Sequence, residues 1–228
     1  MPVVVIAGDV GSGKTYLSMR HPFASRGLFF DVEDRYATTL RYNKLIPVEN
    51  CIQCLQYDSN YDIDAAKTFD YIKEQVRKYL QGSEYPLVVL DGVSDLRRMA
   101  VEKWLQLNPN RKRPQNAGDW SEINDMVKEV VFRLFNYARV TKRYVVLTAW
   151  TVDEYDEKGV KTGKKTLDCK EFILARADEI ILTKRVGTQY YARRAKSPRG
   201  ASEWVDITEG GENGKQQEEK ETDQRADQ

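Results

Sequence analysis

The sequence predicts an α/β fold with a mostly parallel central sheet, helices on both faces and late antiparallel strands. Three observations carry that prediction. Short β-branched apolar runs recur along the chain with helical patterns between them. The first run, Pro2-Val3-Val4-Val5-Ile6-Ala7, enters the glycine-rich stretch Gly8-Asp9-Val10-Gly11-Ser12-Gly13-Lys14-Thr15. The last two runs, Glu179–Thr183 and Gln189–Arg193, read as closing strands.

The elements follow in order. Residues 2–7 read as a buried parallel strand. Thr15–Arg20 opens a helix that Pro22 stops. Gly27–Val32 is a second strand, and Cys51–Leu55 a weak third. Residues 62–81 form an amphipathic helix, with Phe69, Ile72, Val76, Tyr79 and Leu80 at helical spacing and Gly82 where a C-terminal cap belongs. Pro86–Asp91 is a strand ending in an acid, followed by a helix around 94–107 in which Ser94 takes the N-cap position. The polar, proline-flanked stretch 108–118 is a loop. The clearest helix comes next, with Ile123, Met126, Val127, Val130, Val131, Leu134, Phe135 and Ala138 on one face. Arg143–Trp150 is another buried strand, and the polar residues 151–167 read as a protruding hairpin or mobile loop. One domain over residues 1–208 is the simplest division.

Composition bounds the function classes. The 228 residues suffice for one large domain, with a hydrophobic fraction of 41% and a charged fraction of 31% ordinary for a soluble chain. No apolar run approaches the ~20 residues that span a bilayer, and the chain enters its first strand at once, so the expectation is a cytoplasmic protein with no membrane partner. Three cysteines, Cys51, Cys54 and Cys169, exclude a disulfide framework. Cys51 and Cys54 have C-x-x-C spacing, but the one histidine, His21, provides no second zinc pair, and a strand is the wrong setting for a redox pair. Residues 209–228 carry seven acids and three bases with no apolar residue beyond Ala226, and are expected to be a disordered acidic tail.

Gly8 to Thr15 fits G-x-x-x-x-G-K-[ST] at every defined position. Glycines let backbone N–H groups turn inward around an anion, and the following helix start adds partial positive charge. Lys14 is expected to reach the outer phosphates of ATP, and the Thr15 hydroxyl to ligate Mg²⁺. Asp91, at the carboxyl end of an apolar strand, is the candidate for the second Mg²⁺ contact. A carboxylate beside the terminal phosphate polarises the attacking water. The residues by themselves do not choose among Asp31, Glu33 and Asp34 for this role.

This order of motifs resembles the RecA-like ATPases, and in particular the compact group of phages, archaeal viruses and plasmids that includes RecA-type single-strand-annealing ATPases. Over roughly residues 1–208 the resemblance implies a RecA-like P-loop NTPase that hydrolyses ATP with Mg²⁺. It assigns the base to Glu33 within Phe30-Asp31-Val32-Glu33, and the metal motif to Leu90-Asp91-Gly92-Val93-Ser94. It implies a polar sensor at the strand ending Leu147-Thr148-Ala149-Trp150. Thr148 can hydrogen-bond near the phosphates, but Trp150 stands where the family usually has Gln or His. It also implies cations supplied to a neighbouring subunit's phosphates, with Lys196 and Arg199 as candidates although spaced one residue wider than K-x-R. The active unit is then a homo-oligomer, a ring or filament.

The polymer acted on is read separately. Arg111, Lys112 and Arg113 lie in a polar loop near Trp104 and Trp120, and Lys158, Lys161, Lys164 and Lys165 lie in the 151–167 segment beside four acids. Basic side chains track phosphates and aromatic rings stack bases, so single-stranded DNA is the expected partner, in recombination, annealing or replication. Two other classes stay open: a motor or switch directed at proteins, and a small-molecule kinase in which Arg193, Arg194 and Arg199 would serve as a lid.

Overall fold

The computed structural model describes residues 3–35, 47–82, 85–156 and 159–208. Apolar runs too short for helices pair into one sheet. Its strands are β1 (Val3–Gly8), β2 (Leu28–Asp31), β3 (Cys51–Gln53), β4 (Leu87–Asp91), β5 (Tyr144–Tyr155), β6 (Lys161–Leu167), β7 (Glu179–Val186), β8 (Gln189–Lys196) and β9 (Val205–Asp206). The spatial order is β3-β2-β4-β5-β1-β7-β8-β9, and β6 folds back on β5. From β3 to β7 neighbours run parallel, and β8, β9 and β6 join antiparallel. The predicted α/β class with late antiparallel strands is the observed one.

Five helices accompany the strands among the described residues: α1 (Lys14–Met19), α2 (Ala65–Leu80), α3 (Val93–Leu107), α4 (Ala117–Thr141) and α5 (Lys170–Ile173). Asp64 caps α2 by accepting from the Lys67 N–H at 3.0 Å. Asn116 and Asp119 form a reciprocal capping box at the start of α4, which ends the 108–116 loop. The 151–167 segment is a hairpin: β5 runs on past Trp150, and β6 returns along it.

The sheet is covered unequally. Odd-numbered β1 and β5 residues (Val3, Val5, Val145, Leu147) pack with Leu28, Phe30, Val88 and Leu90 against α2, α3, α4 and α5. The opposite face carries a far smaller cluster, in which Val4, Ile6, Phe29, Val89 and Val146 meet Met19 of α1 and Ala24. Alternation along each strand forces this division, because successive side chains point to opposite faces. The N-terminal end of this thin side is capped by His21, Phe23 and Tyr144, with ring centroids 4.7–5.6 Å apart.

The C-x-x-C pair behaves as core. Cys54 is fully buried, burial pushes both thiols up, and no cluster of potential metal ligands occurs among the described residues. No helix is long and apolar enough to cross a membrane among the described residues. The expected acidic tail lies outside them.

The α4 face gives a direct test of this packing. Leu134 is 0% exposed and Val140 is 81% exposed on the same helix. Leu134→Ala is expected to cost about 3 kcal/mol in urea unfolding, whereas Val140→Ala stays within about 0.5 kcal/mol of wild type.

Candidate functional site

The carboxyl ends of β1, β2 and β4 meet the middle of β5 at one level of the sheet. Register sets this: Asp31 lies beside Asp91, Asp91 beside Thr148, and Gly8 beside both Trp150 and Thr183. Because β5 sits between β1 and β4, the strand that feeds the glycine-rich loop and the strand that ends in Asp91 are one strand apart. Their side chains bridge that gap.

The loop leaves β1 at Gly8, where a Cβ would lie 2.5 Å from the Thr183 carbonyl oxygen. That carbonyl belongs to the β1–β7 ladder and cannot give way, so only glycine fits. Ser12 shares a hydrogen bond with Thr183 Oγ1 at 2.7 Å, which pins the loop to β7. The Tyr190 ring of β8 packs on Gly13, which has φ +90° and would place a Cβ 3.1 Å from that ring. Lys14 is 5% exposed, and its ammonium donates to the carbonyl oxygens of Gly8 (3.2 Å) and Asp9 (3.0 Å). Burial lowers its pKa, while the charges of Glu33, Asp91 and Asp9 oppose that shift.

Asp91 is the centre of the site. Thr15 Oγ1 donates to its Oδ2 at 2.7 Å, and Thr148 Oγ1 donates to Oδ1. Thr148 in turn accepts the Gly92 N–H at 2.8 Å. Burial, followed by the negative charge of Glu33, raises the Asp91 carboxyl to about 7 despite both hydroxyl donors. An all-oxygen pair of Thr15 hydroxyl and buried carboxylate suits a small hard cation such as Mg²⁺, and a cation there would remove the penalty that raises Asp91.

Glu33 lies just past β2. Its Oε1 accepts the Trp150 indole N–H at 3.0 Å, and Arg35 Nε is 3.7 Å from Oε2. Gly92, at φ +114°, leaves room for Glu33, since a Cβ there would sit 2.9 Å from Glu33 Cγ. Asp95, in the first turn of α3, lies against Glu33. Burial, followed by the Glu33 charge, pushes the Asp95 carboxyl up to about 6. Asp31 is buried on the same side and accepts the Arg35 N–H at 3.1 Å.

The structure thus gathers Gly8 to Thr15, Glu33, Asp91 and Thr148 at one place. It also adds residues that the sequence reading did not single out: Asp95, Thr183 and Tyr190. The bond of Trp150 to Glu33 has no local sequence signal. Ser94 does not cap α3 as expected. Gly92 holds the N-cap position with no side-chain cap, and the Ser94 hydroxyl accepts the Trp150 backbone N–H at 2.9 Å instead. Asp9 reaches outward to the hairpin, accepting from Thr151 Oγ1 and Lys165 Nζ, both at 2.6 Å.

Other candidates stand apart from this centre. Lys196 and Arg199 lie at the far end of β8, because Lys196 pairs with Ile180 whereas Gln189 pairs with Val186. The Lys196 ammonium donates to the carbonyl oxygens of Leu174 (2.9 Å) and Ala177 (2.6 Å), and Arg199 is exposed. Arg111, Lys112 and Arg113 are exposed in the α3–α4 loop. Trp104 cannot stack a base beside them: it is 3% exposed and its indole donates to Glu122 at 2.7 Å. Trp120 remains 40% exposed, with Arg97 over its ring at 5.2 Å. In the hairpin, Lys161 pairs with Asp153 and Lys165 with Asp9. Lys158 lies outside the described residues.

Comparison with known proteins agrees with this geometry at the level of family and fold. A family model described as an AAA domain matches residues 2–175. The crystal structure of the RadB recombinase aligns with a TM-score of 0.52 over 90% of this chain and 86% of that one, at 12% identity, which speaks to fold alone. No curated protein matches the chain.

The raised Asp91 carboxyl yields a pH test. A carboxyl protonated in the fold up to about pH 7 but ionised above about pH 4 when unfolded contributes stability at low pH that is lost as pH rises through that window. Asp91→Asn removes the contribution. With metal chelated, the variant's unfolding free energy should exceed that of wild type at pH 8, by at most ~4 kcal/mol, and the two should converge near pH 4.

Proposed function

The chain belongs to the AAA domain family, and from that premise we propose that it is a Mg²⁺-dependent ATP hydrolase of RecA-like type that works as an oligomer on single-stranded DNA. One observation carries the hydrolase reading: Lys14, Thr15, Asp91 and Glu33 converge from three strand ends onto one site. Loop N–H groups and the buried Lys14 ammonium would hold the outer phosphates through charge-assisted bonds. α1 is only six residues long, so its dipole adds less than the loop itself. Mg²⁺, held by Thr15 and Asp91, would neutralise charge on the phosphate oxygens. Glu33 would orient and deprotonate the attacking water, its carboxylate already turned by Trp150. Thr148 would keep Asp91 in register, since it bonds both Asp91 and the Gly92 N–H.

The position of the late cations favours an oligomer. Within its own chain the site has Lys14 as its buried cation, while Lys196 and Arg199 sit at the opposite end of β8. Cations at that end serve a neighbour's phosphates more readily than their own. Arg199 suits the role better than Lys196, which would have to leave two carbonyl oxygens. The exposed Arg111, Lys112 and Arg113 favour a polyanion as the polymer substrate. The ATPase unit would comprise residues 1–208, with 209–228 as a tail.

Three experiments test this reading. Lys14→Ala should weaken binding of a non-hydrolysable ATP analogue by at least ~30-fold, read by calorimetry. Glu33→Gln should bind the analogue normally while turnover falls by roughly 100-fold or more; wild-type turnover would place the base elsewhere. Retention of a labelled oligonucleotide with analogue present should fall with salt and be lost when Arg111, Lys112 and Arg113 become alanine. No retention at low salt would remove DNA as the substrate.

A further inference from the structure

We propose that Trp150 is the positioning residue for Glu33, and that α3 sets its angle through Arg98 and Ser94. The proposal rests on the reading of Glu33 as the base that activates water. Glu33 sits past the end of β2, next to Asp34 at φ +53°, in backbone that no ladder holds. A glutamate there has three side-chain torsions to fix, and ordering them costs rotamer freedom. Arg35 Nε stands 3.7 Å from one carboxylate oxygen, Oε2, as an ion-pair partner. The Trp150 indole donates to the other, Oε1, at 3.0 Å.

Trp150 is itself held by one helix, at its backbone and at its ring. The Trp150 backbone N–H donates to Ser94 Oγ, and the Arg98 guanidinium lies 4.1 Å from the ring centroid. Ser94 and Arg98 are four residues apart and so lie on one face of α3. Arg98 is also 3.5 Å from Asp95, the carboxyl packed against Glu33. Glu33, Trp150, Arg98 and Asp95 thus form a closed circuit. A shift or rotation of α3 would change the indole angle and with it the Glu33 carboxylate. The far end of α3 opens into the loop carrying Arg111, Lys112 and Arg113, so occupancy of that loop has a mechanical route to Glu33.

The test removes the donor and keeps the ring. Trp150→Phe should lower saturated ATP turnover by about 10-fold or more with nucleotide affinity unchanged, because orientation is lost but phosphate contacts are not. Arg98→Met should act in the same direction, and the double variant should be no slower than Trp150→Phe alone, as expected of residues in one circuit. A second measurement does not depend on catalysis. In full-length protein labelled with 5-fluorotryptophan, the ¹⁹F resonance missing from Trp150→Phe should move in Glu33→Ala and in Arg98→Met, while the other three tryptophan signals stay. Equal or faster turnover in Trp150→Phe while Glu33→Gln is inactive would overturn the positioning role. So would a Trp150 resonance indifferent to Glu33→Ala. If Glu33→Gln hydrolyses at wild-type rate, it is the base assignment that fails, and the fluorine signal alone then decides whether the indole holds that carboxylate.

Discussion

Much of this site follows from one buried carboxylate. Asp91 is 2% exposed, and a charge taken out of water costs several kcal/mol unless it is met by donors or a cation. Two hydroxyls meet it from different elements, Thr15 at the start of α1 and Thr148 in the middle of β5. They reach it only because β5 lies between β1 and β4 in parallel register. The requirement to satisfy Asp91 therefore ties the glycine-rich loop to strands β4 and β5. The neighbouring Glu33 works against that balance, and Lys14 works for it. Such a cluster of acids around one lysine is suited to receive a divalent cation together with a polyphosphate.

Unequal covering of the sheet divides the labour. The face under α2, α3 and α4 holds most of the buried apolar residues. α3 belongs to that side, yet its first turns carry Ser94, Asp95 and Arg98 into the site. At about 1.5 Å per residue its fifteen residues span roughly 22 Å, from Glu33's surroundings to the basic loop. A rigid element touching both places can transmit a small displacement with little loss. The hairpin makes a second connection, since Lys165 and Thr151 both bond Asp9 of the phosphate loop. That pairing is half exposed and so far weaker than the contacts around Asp91.

Residues whose role is local were legible in advance. The loop from Gly8 to Thr15 announces itself through spacing, because backbone wrapping around phosphate needs glycine at fixed offsets. Asp91 was legible as an acid ending an apolar strand, and α4 as a long amphipathic pattern. Residues whose role depends on a distant partner misled or stayed silent. Ser94 reads as a helix cap, since nothing nearby in sequence competes for its hydroxyl, but in the fold the Trp150 N–H takes it. Trp104 reads as an aromatic near a basic loop, but burial against Glu122 removes it from that surface. Lys196 reads as a cation near Arg199, but the carbonyl oxygens of Leu174 and Ala177, just past α5, claim its ammonium.

By itself the sequence determined the class of sheet, the anion-binding loop and the supply of acids at strand ends, because each depends on residues within a few positions of one another. Tertiary structure alone decided which acid meets which donor. Glu33 and Trp150 are 117 residues apart, and their bond exists only because β2 and β5 flank β4 and Gly92 leaves space between them. A hydrogen bond of that kind has no period and no local spacing to read, so it becomes visible only when strand order and register bring the two chain segments together.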